Sequence, residues 1–308
     1  MENLTLNLDL LILAGLKVTP QSSTPAFILL LLVYIIVMVS NMGLVVLIFR
    51  SRSLHQPMYL LFCNLMINHA FGATVIIPHI LKDIIISPSK RHIYYINCVA
   101  QAFCAHFHGT ASYTVLTIMA FDRYVAICNP LRYASIMTNR MVVKLSVAAW
   151  GSALVMVAIL LGLTIRLSRC RRTLPNLFCD NASLFSLSCE SVLINNIYGL
   201  TYTILLLGSS IGSITLTYLK IVAVCMRRKN KALNRKALQT CASHLAACLL
   251  LLVMAFIIII LHRFPHLSDY RKMVPILGHA TMPIVNAMTY GVQIKAVRQT
   301  IKNVLHIK

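Results

Sequence analysis

The sequence predicts an all-α membrane protein: a bundle of seven transmembrane helices, followed by a short C-terminal amphipathic helix. Three observations predict it. Apolar residues make up 58% of the 308-residue chain, against about 45–50% in soluble domains. Charged residues make up 11%, where about 25% is usual. Seven runs longer than 20 residues contain no Asp, Glu, Lys or Arg. Crossing the hydrocarbon core takes about 20 mostly apolar residues. A backbone in lipid must satisfy its own hydrogen bonds, so each run is expected to be a helix.

In chain order the runs are 18–49, 53–81, 92–121, 145–165, 191–219, 237–262 and 273–294. One all-apolar helix can hide in a soluble protein, but seven leave almost nothing to wrap them. Met1 to Lys17 has no basic n-region or small-residue cleavage site, so the first span is expected to act as the targeting signal. The apolar content excludes disorder, and the length excludes a disulfide-dense secreted scaffold. The net charge is +21, from 28 Lys+Arg against 7 Asp+Glu. These bases lie between apolar runs and not on one face or tail, so no nucleic-acid partner is expected.

The connections set the orientation. The N-terminal segment with 82–91, 166–190 and 263–272 holds 11 Lys+Arg; 50–52, 122–144, 220–236 and the tail 295–308 hold 17. The richer side is expected to be cytoplasmic, which places the N-terminus outside. Asn3-Leu4-Thr5 is then a glycosylation sequon on the outer side. Cys98, Cys170, Cys179 and Cys189 also fall there, where disulfides persist; their spacing leaves three connectivities open. No cysteine or histidine spacing fits a zinc site, and neither a metal nor a cofactor is expected. The tail carries Ile294, Val297, Ile301, Val304 and Leu305 at helical spacing, which suits a helix lying on the inner leaflet.

The third span ends in Met119-Ala120-Phe121-Asp122-Arg123-Tyr124-Val125-Ala126-Ile127-Cys128-Asn129-Pro130-Leu131-Arg132-Tyr133. This closely resembles the MAYDRYVAICxPLRY signature of odorant receptors, within the rhodopsin-like G-protein-coupled receptors. Leu54-His55-Gln56-Pro57-Met58-Tyr59 before the second span, Lys236 to Leu245 at the start of the sixth, and Phe178-Cys179-Asp180 in the second outer loop are similar to the same family. His262-Arg263-Phe264 resembles its fish-like, class I branch. Two positions depart from the pattern. Ala287 stands where the seventh span usually has proline; it keeps an N–H, so the helix is expected to close its ladder and lose a kink. His69 stands where rhodopsin-like receptors commonly carry an acid, and an imidazole is a poor ligand for sodium.

The resemblance implies an extracellular segment at 1–25, a receptor domain at 26–291 and a cytoplasmic tail at 292–308, in the plasma membrane. It implies a receptor that binds a small odorant, a carboxylic acid or other water-soluble molecule, in the outer half of the bundle. The partner it implies is a heterotrimeric G protein of the stimulatory olfactory type, with membrane lipid around the spans. Counted outward from Arg123, the inward face of the third span includes His106, Gly109 and Thr110 as ligand contacts; the resemblance adds Tyr202, Leu206, Ala255, Phe256 and Ile259, and Arg263 joins them by its place at the outer end of the sixth run. The resemblance places coupling at Asp122, Arg123, Tyr124, Tyr218, His244, Asn286 and Tyr290, and pairs Cys98 with Cys179, which leaves Cys170 for Cys189.

Each assignment has a plainer competitor. Small and polar residues mark any membrane helix interface. Asp122–Arg123 reads either as a snorkelling pair at a helix end or as a latch freed on activation. Arg263 reads either as an anion anchor or as a headgroup contact. The bases between Arg227 and Lys236 serve topology and anionic lipid in any case. A rhodopsin-like receptor for a non-odorant ligand is the nearest rival. A transporter is disfavoured because no span holds a mid-membrane charge, and no residues for enzyme chemistry are visible in the spans.

Overall fold

The computed structural model describes residues 9–16, 19–87, 90–227, 231–264, 267–293 and 298–299. Seven long helices dominate it, as predicted: α1 (Pro20–Arg50), α2 (Pro57–Ile85), α3 (Tyr95–Cys128), α5 (Asn139–Ile165), α7 (Leu193–Arg227), α8 (Lys231–Arg263) and α9 (Ser268–Gln293). Short helices α4 (Tyr133–Ile136) and α6 (Asn181–Phe185) lie in connections. Five of the long helices are apolar enough over a long enough stretch to cross a membrane on that ground alone. The more polar α3 is central: it packs against α2, α5, α7 and α8. The exposed apolar side chains form the lipid-facing coat, among them Leu29, Val39, Val147, Leu205, Leu216 and Val253.

Local chemistry sets several ends. Thr19 and Ser22 form a reciprocal capping box at the start of α1, satisfying backbone donors that a helix leaves open. Thr138 caps α5 by accepting from the Met141 N–H. Pro57 opens α2 at a position where its missing N–H costs nothing. Gly72 lets α2 meet α3, because a Cβ there would overlap the His108 ring.

One end of the bundle, called outer here, carries a three-stranded sheet in the order β2-β1-β3. Strand β1 (Leu10–Leu13) is central, antiparallel to β2 (His92–Tyr94) with Leu11 opposite Ile93, and parallel to β3 (Thr173–Leu174). After it the chain turns at Gly15, whose φ of 60° favours glycine. The buried Arg91 donates to the Leu16 carbonyl at 3.0 Å, and Lys272 donates to the Gly15 carbonyl at 3.1 Å. Cys98 is bonded to Cys179 and Cys170 to Cys189, with Cα–Cα separations of 5.3 and 5.9 Å. Toward the other end the core is a continuous apolar cluster including Leu61, Phe62, Leu65, Met66, Leu116 and Ile221.

Candidate functional site

Helical spacing builds a cavity between the helices in the outer half. On α3, Gly109 and Thr110 lie three and four residues after His106 and four and three before Tyr113, so the four share a face. Tyr202 and Leu206 of α7 face them, as do Leu251, Ala255 and Ile259 of α8 and His279 and Met282 of α9. Together they line a chamber of about 310 Å³. Its wall is mostly apolar with a few convergent polar groups, the usual make-up of a small-molecule site. The Thr110 hydroxyl is hydrogen-bonded to the Tyr202 hydroxyl, joining α3 to α7 across the chamber.

A group of histidines closes the chamber on the side of α2 and α9. The rings of His69 and His108 are 6.1 Å apart, and those of His108 and His279 are 5.2 Å apart. His108 donates from Nδ1 to the Asn68 carbonyl at 2.9 Å, and the Asn68 amide donates back to the His108 carbonyl at 3.0 Å. The Asn286 amide donates to His69 Nε2 at 2.8 Å. Among the described residues, no group of three His, Cys, Asp or Glu is arranged to hold a metal ion.

A second, smaller chamber of about 210 Å³ lies above the first and shares Ala105, His106, Ile258, Pro275 and His279 with it. The second outer loop forms part of its wall. That loop is anchored by His106 Nε2, which accepts the Asn181 N–H at 3.1 Å, and by Gln101, which accepts the Cys179 N–H at 2.9 Å.

Of the predicted ligand contacts, seven line the deep chamber: His106, Gly109, Thr110, Tyr202, Leu206, Ala255 and Ile259. Phe256 does not. It is 47% exposed and lies one residue round the helix from Ala255, on the lipid side. Arg263 closes α8, but its side chain lies outside the described residues, as do that of Tyr290, Asn3 and most of the tail. Sequence reasoning missed His279. A signal existed: His279 and Asn286 are seven residues apart, which places two polar groups on one face of α9.

At the inner end, Asp122 is buried and forms an ion pair with Arg123, whose Nε donates to it at 3.0 Å. The Tyr133 hydroxyl donates to the other carboxylate oxygen at 2.9 Å. Burial, and then the neighbouring Asp122 carboxylate, push the Tyr133 phenol above its usual range, so it stays a donor at physiological pH. The Tyr218 hydroxyl lies 2.7 Å from His244 Nδ1, linking α7 to α8, and Lys220 sits 5.6 Å from the Tyr124 ring centre. Helix α9 runs unbroken through the buried Ala287, with Pro275 and Pro283 still inside it.

Comparisons with known proteins agree with this architecture. A family model described as olfactory receptor matches residues 30–308. Human olfactory receptor 52N5 is 34% identical over 274 residues, covering 87% of this chain and 84% of its own. Mouse olfactory receptor 5K16 is 30% identical over 297 residues, covering 96% and 92%. The crystal structure of squid rhodopsin superposes with a TM-score of 0.67 at 17% identity, covering 94% of this chain and 87% of that one.

Proposed function

Because this chain belongs to the olfactory receptor family, we propose that its odorant binds in the deep chamber of the outer half. The protein is a multi-pass plasma-membrane receptor and not an enzyme; it takes a small-molecule ligand and couples to a G protein. The observation that carries the proposed site is the meeting of His106, Thr110 and Tyr202 with Leu206, Ala255 and Ile259 around one mainly apolar chamber. An odorant there bridges α3, α7 and α8, and biases their arrangement by whatever it binds better in the active state.

Coupling is assigned to Asp122, Arg123, Tyr124, Tyr218, His244, Asn286 and Tyr290, and the partner to the stimulatory olfactory type of G protein. The receptor domain spans 26–291, with 1–25 extracellular and 292–308 cytoplasmic, following the excess of Lys and Arg on the inner connections. Asn3 carries the glycan. An odorant screen in cells reporting cyclic AMP and calcium tests this reading. A rise in cyclic AMP that falls at least tenfold in potency in Leu206→Trp, at equal surface level, is the expected result. A response unaltered by filling the chamber overturns the site, and a calcium signal without cyclic AMP overturns the G-protein type.

A further inference from the structure

The polar groups of the deep chamber have mostly committed the hydrogens they carry. Among the described residues, each hydroxyl lining it has one hydrogen and has already given it to a protein acceptor. Thr110 donates to the His106 carbonyl at 2.8 Å, so the Tyr202 hydroxyl is the donor in its bond to Thr110. Ser112 donates to the His108 carbonyl at 2.9 Å, Tyr113 to the Leu251 carbonyl at 3.2 Å and Thr203 to the Gly199 carbonyl at 2.8 Å. The His108 ring follows the same pattern. Its Nδ1 donates to the Asn68 carbonyl at 2.9 Å, and Gly72 makes room for it. A neutral imidazole carries one N–H, so Nε2 presents a lone pair, with no partner among the described residues. These groups therefore face a ligand as acceptors. An N–H remains on His279, which makes no hydrogen bond among the described residues, and on His69 Nδ1, which is buried without a partner.

We infer that the deep chamber selects neutral hydroxyl-bearing ligands, small alcohols, the hydroxyl donating to His108 Nε2 and accepting from His279. This rests on the reading that the deep chamber holds the odorant. The two ring centres are 5.2 Å apart, and one oxygen can bond to a nitrogen of each at about 2.8 Å. A hydroxyl supplies both the donor that His108 lacks and the acceptor that His279 lacks. Aldehydes, esters and ethers only accept, so their lone pairs meet the lone pair of His108 and leave it buried and unpaired, which is costly. Sites built to bond a hydroxyl reject analogues without it for this reason. A carboxylate also only accepts, and an ammonium brings a charge. Among the described residues, no Lys, Arg, Asp or Glu lines the chamber to balance either ion.

The test uses the purified full-length receptor and four probes that share a six-carbon chain: hexanol, hexyl methyl ether, hexanoate and hexylamine. Thermal stabilisation is read against concentration, beside cyclic AMP in cells. Hexanol is expected to act at concentrations about tenfold below the other three. His108→Asn keeps an amide donor for the Asn68 carbonyl and removes the acceptor; hexanol then needs about tenfold more, while the ether shifts less than about threefold. His279→Phe removes the N–H that both oxygens accept, and weakens hexanol and ether alike. An ether, acid or amine matching hexanol on the wild type overturns the inference, and this ranking decides it even where a variant does not fold. So does hexanol binding unchanged in His108→Asn, or hexanol and ether weakened equally there, which a merely structural role would give. No stabilisation by hexanol also overturns it. The deep-chamber reading is judged separately: ether binding that is lost in Leu206→Trp preserves it even where hexanol has no advantage.

Discussion

The two ends of the bundle are held together by different means. At the outer end the ties are covalent or backbone-based: two disulfides, a three-stranded sheet, and the long cationic side chains of Arg91 and Lys272 reaching carbonyls of the N-terminal segment. At the inner end apolar packing prevails, supplemented by the Asp122–Arg123–Tyr133 group and the Tyr218–His244 contact. Among the described residues, α7 and α8 meet only sparsely, whereas α2 packs closely against both α1 and α3. Directional and covalent ties resist separation, but a short chain of polar contacts at a helix end can exchange partners. On the proposed function, this contrast keeps the ligand end fixed while the inner end parts.

Four experiments break or sharpen this contrast. The largest effect is expected from Arg123→Ala, which removes the inner charge pair: signalling is abolished while surface delivery is retained, since the residue lies in the last two turns of α3, past its charge-free run. Wild-type cyclic AMP at matched surface level would contradict the latch. Next is Cys98→Ser at the outer end. Loss of a native bridge typically costs about 2–5 kcal/mol, so surface staining of an N-terminal tag should fall severalfold; unchanged staining and melting temperature would mean the sheet alone suffices. Tyr133→Phe removes one hydrogen bond to a buried carboxylate, worth about 1.5 kcal/mol. Basal cyclic AMP per surface receptor should rise up to tenfold, and a basal level equal to wild type would show that Tyr133 does not restrain the latch. The smallest effect is expected from sodium. With His69 bonded to Asn286 inside the bundle, exchanging sodium for choline at equal ionic strength should leave agonist affinity unchanged within about twofold, judged by competition binding.

Much of this was legible in the sequence because lipid imposes a length and a polarity on each span. The helices nonetheless run past the charge-free runs: α2 continues through Lys82 and Asp83, and α7 reaches Arg227. Lys82 is exposed and can reach water without ending the helix, whereas Asp83 is buried beside His79, 3.6 Å away. The sheet was not legible, since strands of two to four residues leave no alternation to read. Within the site, His106 and Thr110 could be placed because helical periodicity counted outward from Arg123 puts them on the inward face, and Tyr202 because the family resemblance places it. Phe256 could not, because a lipid-facing surface and an apolar chamber ask for the same side chain. Lys272 escaped notice for the opposite reason: a lysine just outside a span looks like a boundary marker.

The position of β1 also has a consequence in time. It is the first described element in the chain, yet it occupies the middle of the sheet, and Asp9 bonds to Arg169, 160 residues further on. At about 5–20 residues per second of synthesis, that partner emerges on the order of ten seconds later. The leading strand meets β2 once α2 has been made, but its other edge waits unpaired until α5 and the loop beyond it have followed. Completing the sheet therefore marks a nascent chain whose first four long helices are in place, and a chain that stalls before β3 leaves an edge of β1 open, the kind of surface that chaperones bind.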